Sequence, residues 1–259
     1  MTPRSARAKP RRSRLLLALG LSSAVSVAWP HQSQARAEGP AVPRVVLLGG
    51  SCVKCDLDTR NLSGARFMGG QFQEASLVGS SLKGASFAGT DFSGADLSHA
   101  DLRGSIMLGA IFQGADFSGA SLSGVQSTGS SFRNADLEGA RLDGGVFQGA
   151  DFSGVKAENA RFDGSRLMGA VLSDGDFHNA SFRGADLFGA TLTGGRFVHT
   201  DFKDAQLRGA TISGADLSQA RNLTREQLNE TCADHATRLP AGMTPRVCGG
   251  HMLLFRRSP

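Results

Sequence analysis

Four cysteines, six histidines and a recurring set of aspartates are the side chains of this sequence with chemistry to offer. Cys52 and Cys55 form a C-x-x-C pair, and Cys232 and Cys248 stand together near the other end of the chain. Four thiolates suit a structural zinc ion, whereas an oxidising compartment would join the same residues as disulfides. Asp56, Asp96, Asp116, Asp136, Asp176 and Asp216 recur at multiples of twenty residues. Carboxylates gathered on one surface do acid–base work on sugar chains. Histidine adds general acid–base chemistry where it lies within reach of a nucleophile or a reacting proton. Which of these groups meet depends on the frame that carries them.

That frame has a period of five. From Leu57 to Leu217 a large apolar residue recurs at every fifth position for 33 consecutive centres, with only Ser127 and Ala157 departing. Two residues before most centres lies a small residue, usually Ala; two residues after lies Gly in most cases, and Asn, Asp or His in others. Five matches neither a helix nor a flat strand. Gly, Asn and Asp tolerate turn geometry, so each unit reads as a very short strand and a corner, with the centre and the small residue pointing inward. The centres also repeat in fours: Phe72, Phe92, Phe112, Phe132 and Phe152 form one pure column at a spacing of twenty, and Leu62, Leu82, Leu102, Leu122 and Leu142 another. Like side chains stack across paired strands. The sequence therefore predicts a four-sided solenoid of about eight coils, roughly 40 Å long at the spacing of paired strands. In such a coil Ser127 faces Phe117 across the section, and Phe117 stands where earlier coils carry Leu57, Leu77 and Leu97, which reads as volume compensation.

Units such as "ADLSHADLRG" and "ADFSGASLSG" closely resemble the pentapeptide-repeat family, and the resemblance covers residues 57–217. It implies an all-β fold, a right-handed quadrilateral parallel β-helix. It implies no single activity: the best-known members mimic DNA and bind gyrase, and many have no assigned role.

On this frame the chemical groups separate. The two cysteine pairs fall at opposite ends, which removes a shared zinc site. Cys232 and Cys248 are expected to form a disulfide in an exported chain; Cys52 and Cys55 are either a structural pair or buried thiols. His99 and His199 share a column about 24 Å apart at the strand spacing. His178 is expected to be alone on its face, and His235 and His251 belong to the C-terminal segment. No Ser–His–acid set converges, so neither catalytic residues nor a metal or cofactor site is expected. The aspartate stripe reads as turn support.

The ends carry their own signals. Residues 1–37 hold seven cations and no anion, an apolar run from Leu15 to Trp29, and "QARAE" with small residues at Ala35 and Ala37. This is the pattern of a signal peptide cleaved after Ala37. "RRSRLLL" shares its paired arginines with twin-arginine signals, but Arg14 stands where an apolar residue is expected, which favours the general export route. Taking those seven from the 28 Lys+Arg leaves 21 against 23 Asp+Glu, and residues 56–219 hold 13 against 19. The sequence pI near 9.4 thus belongs to the leader. An acidic body is a poor binder of nucleic-acid backbone. Residues 38–56 read as linker and N-terminal cap, with Leu47 and Cys52 still on the beat. Residues 57–219 are the repeat domain, and 220–259 a C-terminal cap and tail. There Thr224 with Gln227 is a capping box that predicts a short helix from about Arg225, lying over the last coil. The C-terminal cysteine segment is also similar to that of other exported bacterial pentapeptide-repeat proteins.

Three functions are weighed on this footing: a periplasmic or secreted non-enzymatic scaffold that binds another protein or a second copy; a DNA mimic that binds gyrase; and a carbohydrate-active β-helix enzyme. The DNA mimic calls for denser negative charge and a cytosolic target. The enzyme calls for aromatic platforms, yet there is no Tyr and the single Trp lies in the leader. No nucleic-acid partner and no stable membrane insertion after leader removal are expected. One face carries outward apolar residues, Met68, Ile106, Leu108, Val146, Met168 and Phe188, which reads as a candidate protein-binding strip.

Overall fold

In a computed structural model the chain divides into Met1–His31 and Gln32–Pro259. The structure describes residues 46–48, 50–244 and 246–248, all within the second unit. The segment read as a signal peptide, and the tail with His251, lie outside the described residues.

The five-residue side arises from one backbone event. Two residues after each centre from Cys52 to Ile212 the chain turns through a left-handed corner, for example at Gly104 (φ +66°). The next N–H then donates to the carbonyl of the centre, as Ser105 N does to Leu102 O at 3.0 Å. Glycine takes this conformation without steric cost. Asn134, Asn159, Asn179, Asp174, His99 and His199 occupy the same place with φ between 56° and 59°.

Between corners, each side meets its neighbours through parallel bridges that join residues twenty apart, from Ser51↔Gln71 to Asp201↔Arg221. One side is longer, where β1 (Val46–Leu48) pairs in parallel with β2 (Arg66–Met68). Four corners thus close one coil. We number the faces by their first centres: face 1 from Leu57, face 2 from Leu62, face 3 from Phe67 and face 4 from Phe72. Faces 1 and 3 are opposite, as are 2 and 4. Among the described residues no helix is long and apolar enough to cross a membrane.

Every centre from Cys52 to Leu217 is buried. The phenylalanines stack in columns, with centroids 5.1, 5.4, 5.0 and 4.8 Å apart from Phe72 to Phe152 on face 4. Past Ala157 the stacks continue on faces 1 and 2, through Phe177–Phe197 and Phe162–Phe182–Phe202. Ser127 is fully buried and its hydroxyl is satisfied. It donates to Ser130 Oγ at 2.9 Å, and Ser130 Oγ donates to Met107 O at 2.5 Å. Phe117 packs edge-on to Phe112 and tilted against Phe132, so the aromatic bulk of that coil lies on faces 1 and 4.

The beat also outlasts the region read from the sequence. After Asn222 it resumes one residue late: Leu223, Leu228 and Ala233 are buried at five-residue spacing. The helix α1 (Arg225–Asn229) supplies Leu228, with Thr224 as N-cap and Gln227 completing the capping box. It is built into the last coil and does not simply lie across it, since Gln227 Nε2 donates to Phe202 O and Ala205 O at 2.8 Å. Beyond α1 the chain adds a further partial rung through Thr211↔Cys232 and Asp216↔Arg238.

Two packing predictions follow from this interior. At Gly195 a Cβ would stand 2.7 Å from Phe197 Cε2 and 3.3 Å from Leu172 O. Gly195→Ala is therefore expected to lower stability by about 1–3 kcal/mol, the usual effect of overpacking, read as a drop in urea midpoint. Ser127→Phe should cost a similar amount, about 1–3 kcal/mol. If Phe117 compensates for Ser127, adding Phe117→Leu recovers part of that loss; strict additivity in the double-mutant cycle would remove the compensation.

Candidate functional site

With the interior filled, function is left to the faces and the ends. The outward residues are those before and after each centre and those at the corners, and the twenty-residue register stacks them in columns.

Face 1 is acidic. Between residues 56 and 219 it carries nine Asp or Glu against two cations, Lys156 and Arg196. Face 4 is mildly acidic, and face 2 holds its charges in internal pairs. There Asp101 meets Lys83 and Arg103, and Arg141, Asp143, Arg161 and Asp163 form a ladder. The aspartates before the centres have a structural task, as the sequence suggests. Asp56, Asp96, Asp116, Asp136, Asp176 and Asp216 each accept the backbone N–H two residues on, at 2.7–3.2 Å.

Face 3 carries the apolar strip. Met68, Leu108 and Phe188 are exposed by 43–47%, and Ile106, Val146 and Met168 are half-buried. The strip is not continuous. Thr128 and Gln148 separate Leu108 from Met168 in one column, and Gln126 separates Ile106 from Val146 in the other. The result is two apolar islands, one around Ile106 and Leu108, the other around Val146, Met168 and Phe188. The outward columns of this face hold Arg66, Arg166 and Arg208 against Asp186 alone, and Arg208 is held by Glu230 at 3.2 Å.

The cysteines gather in two pairs at opposite ends of the coil. Cα atoms are 5.2 Å apart in both Cys52–Cys55 and Cys232–Cys248, within the span of a disulfide. Cys52 takes a buried centre position, and Cys55 the small-residue place after it.

One expectation is corrected. His178 is not alone on its face: its ring lies 5.4 Å from that of His199, centroid to centroid. His178 directly follows a centre and His199 is a corner residue, so the two occupy different columns. They belong to successive coils of face 1, and side chains of that length bridge the diagonal. His99 and His235 are exposed.

Acid should weaken the fold through its aspartates. The Arg103 hydrogen bond, with help from Lys83, holds Asp101 down to about 2 against the opposing effect of burial. At Asp91 and Asp151 burial pushes upward, but hydrogen bonds from Ser93 and Ser153 outweigh it and the pKa falls. A carboxylate whose folded pKa lies below its unfolded value contributes stability above the unfolded pKa of about 4, and loses it as pH falls further. The urea midpoint should hold steady from pH 7 to about 5 and decline from about 4 towards 2, more shallowly in Asp101→Asn. A decline already complete above pH 5 would contradict this assignment.

Comparison with known proteins gives the frame its relatives. The family model for pentapeptide repeats matches in eight copies over residues 71–109, 110–149, 146–184 and 185–221, more than half of the chain. No curated protein matches. Among solved structures, HetL of the cyanobacterium Nostoc sp. strain PCC 7120, a protein involved in heterocyst differentiation regulation, is 25% identical. The match covers 70% of this chain and 83% of HetL, with a TM-score of 0.45. QnrB1, a plasmid-mediated fluoroquinolone resistance protein, is 19% identical over 74% of this chain and 92% of its own, with a TM-score of 0.49. A thylakoid-lumen protein of Arabidopsis thaliana is 33% identical over 46% of this chain and 68% of its own, with a TM-score of 0.18. Eight matched copies lie on a coil whose bridges step by twenty residues from Ser51↔Gln71 to Asp201↔Arg221. The chain belongs to the pentapeptide-repeat family, whose fold is the right-handed quadrilateral β-helix.

Proposed function

We propose that this protein is an exported, non-enzymatic scaffold that binds another protein through face 3. The observation that carries the reading is the segregation of outward side chains. Among the described residues, exposed Met68, Leu108 and Phe188 and half-buried Ile106, Val146 and Met168 share face 3 with Arg66, Arg166 and Arg208, whereas exposed Val53 and Ile111 lie on face 4 and the opposite face 1 is acidic. Apolar patches on a rigid surface mark interaction sites, and Met168 and Met68 suit an adaptable contact. The partner that fits is an apolar patch rimmed by carboxylates. A second copy fits less well, because pairing two such faces sets arginine against arginine. The non-enzymatic reading draws support from the aspartates, each of which has one carboxylate oxygen engaged by its own turn.

The rest of the reading concerns location and ends. The leader of residues 1–37 directs export to the periplasm or beyond, and an oxidising compartment joins Cys232 to Cys248 and Cys52 to Cys55. Closing the sixteen-residue separation of Cys232 and Cys248 contributes about 3 kcal/mol in the chain-entropy model. Helix α1 and the segment after it serve as a cap that covers the open strand edge of the last coil, the device a solenoid needs against end-to-end pairing.

A second reading is favoured by one observation, the acidic face 1: a DNA mimic that binds gyrase. It requires cytosolic residence, and inhibition of supercoiling by the purified protein would support it over the scaffold.

Two measurements test the main proposal. Leu108→Ser with Phe188→Ser should leave the thermal midpoint nearly unchanged and lower the amount of partner retained from periplasmic extract. Unchanged retention, with unchanged mass in light scattering, would make face 3 mere surface. Intact-mass spectrometry of the periplasmic protein should show loss of 37 residues and of four thiol hydrogens; an unprocessed N-terminus would contradict export by this leader.

A further inference from the structure

The contact between His178 and His199 has a geometry that suits a metal ion. Imidazole nitrogen binds zinc-like ions at about 2.0–2.1 Å. With the ring centre about 1.1 Å further along the lone-pair line, each centroid would lie about 3.2 Å from a shared ion. With both lone pairs turned to one ion, the observed separation of 5.4 Å would give a nitrogen–metal–nitrogen angle of about 115°, close to tetrahedral. The planes are inclined at 63°, so the rings are not stacked face to face.

Two further observations point the same way. His178 Nδ1 is buried and has no hydrogen-bond partner, and a native buried polar atom left unpaired calls for an explanation such as a water or an ion. On the coils around the pair, face 1 carries Glu158, Asp176 and Asp216 against Lys156 and Arg196, a small local excess of carboxylate. The local backbone is well held. Asp176 Oδ1 accepts from His178 N at 3.2 Å and its Oδ2 from Arg196 at 2.8 Å, while His199 N donates to Gln219 O at 3.2 Å.

We propose that His178 and His199 form a binding site for a divalent transition-metal ion of the class that prefers imidazole, Zn²⁺, Ni²⁺ or Cu²⁺. Among the described residues no third His, Cys, Asp or Glu completes a protein cage. The remaining positions fall to solvent, so the site is an open, exchangeable one. It lies on the face opposite the apolar islands, and neither site depends on the other.

Calorimetric titration of the full chain with Zn²⁺, cysteines oxidised, should reveal one saturable equivalent that His178→Gln and His199→Gln each weaken about tenfold or more, as loss of a ligand demands. His99→Gln, in the same column but without a histidine neighbour, should titrate like the parent. Because a surface variant could still disturb packing, a second measurement uses the parent alone. Substoichiometric Cu²⁺ should broaden the ring-proton resonances of His178 and His199 together, before those of His99 and His235. No saturable Zn²⁺ binding, equal binding by both variants, or first broadening at another histidine would each overturn the proposal.

Discussion

The left-handed corner is the constraint on which this molecule rests. Because the chain turns two residues after each centre from Cys52 to Ile212, each side has room for one large and one small inward residue, and four such sides close on themselves. The interior is then a square shaft of constant section, filled anew by every coil. A volume change in one coil has no neighbouring loop to absorb it. Hence the hydroxyl relay from Ser127 through Ser130 to Met107 O, which gives a buried polar side chain its partner inside the shaft. Phe117 stands across the section from that serine, where earlier coils carry Leu57, Leu77 and Leu97.

The same corner decides what the outside can be. Regular stacking turns sequence columns into surface columns, so composition at a fixed register becomes a face with a single character. Acid accumulates on face 1, ion-pair ladders on face 2, and apolar islands with arginines on face 3. Surface ion pairs of this exposure stabilise little individually. Their effect is to leave face 2 electrically quiet beside two faces that are not. Because the shaft is filled, these surfaces and the two ends are what the chain offers to another molecule.

Much of this was legible from residue types alone. The beat from Leu57 to Leu217, the step of twenty and the phenylalanine column from Phe72 to Phe152 all follow from one-dimensional spacing, and the structure keeps them. The capping box at Thr224 and Gln227 was equally readable. Three features were not. The core resumes at Leu223 and Leu228 because one extra residue shifts the register at the last corner, and a search for strict fives stops there. Several phenylalanine rings lie over a glycine two residues earlier, as at Gly175–Phe177 and Gly195–Phe197; the Gly-x-Phe signal was present but looked like ordinary small-residue variation. His178 and His199 meet because side chains reach diagonally between columns, whereas column bookkeeping treats each position as isolated. The apolar strip on face 3 errs the other way: membership of a face is readable, but continuity depends on the residues between, and Thr128 and Gln148 break it.

Site-specific photo-crosslinking in cells separates a face that binds from one that is merely exposed. A photoreactive residue at position 108 or 188 on face 3 should give one discrete adduct, mapped by mass spectrometry to an acid-rimmed apolar surface of the partner. The same residue at position 103 or 183 on face 2 should give none. Adducts of equal yield from both faces, or from face 2 alone, would contradict a binding surface set by the apolar islands.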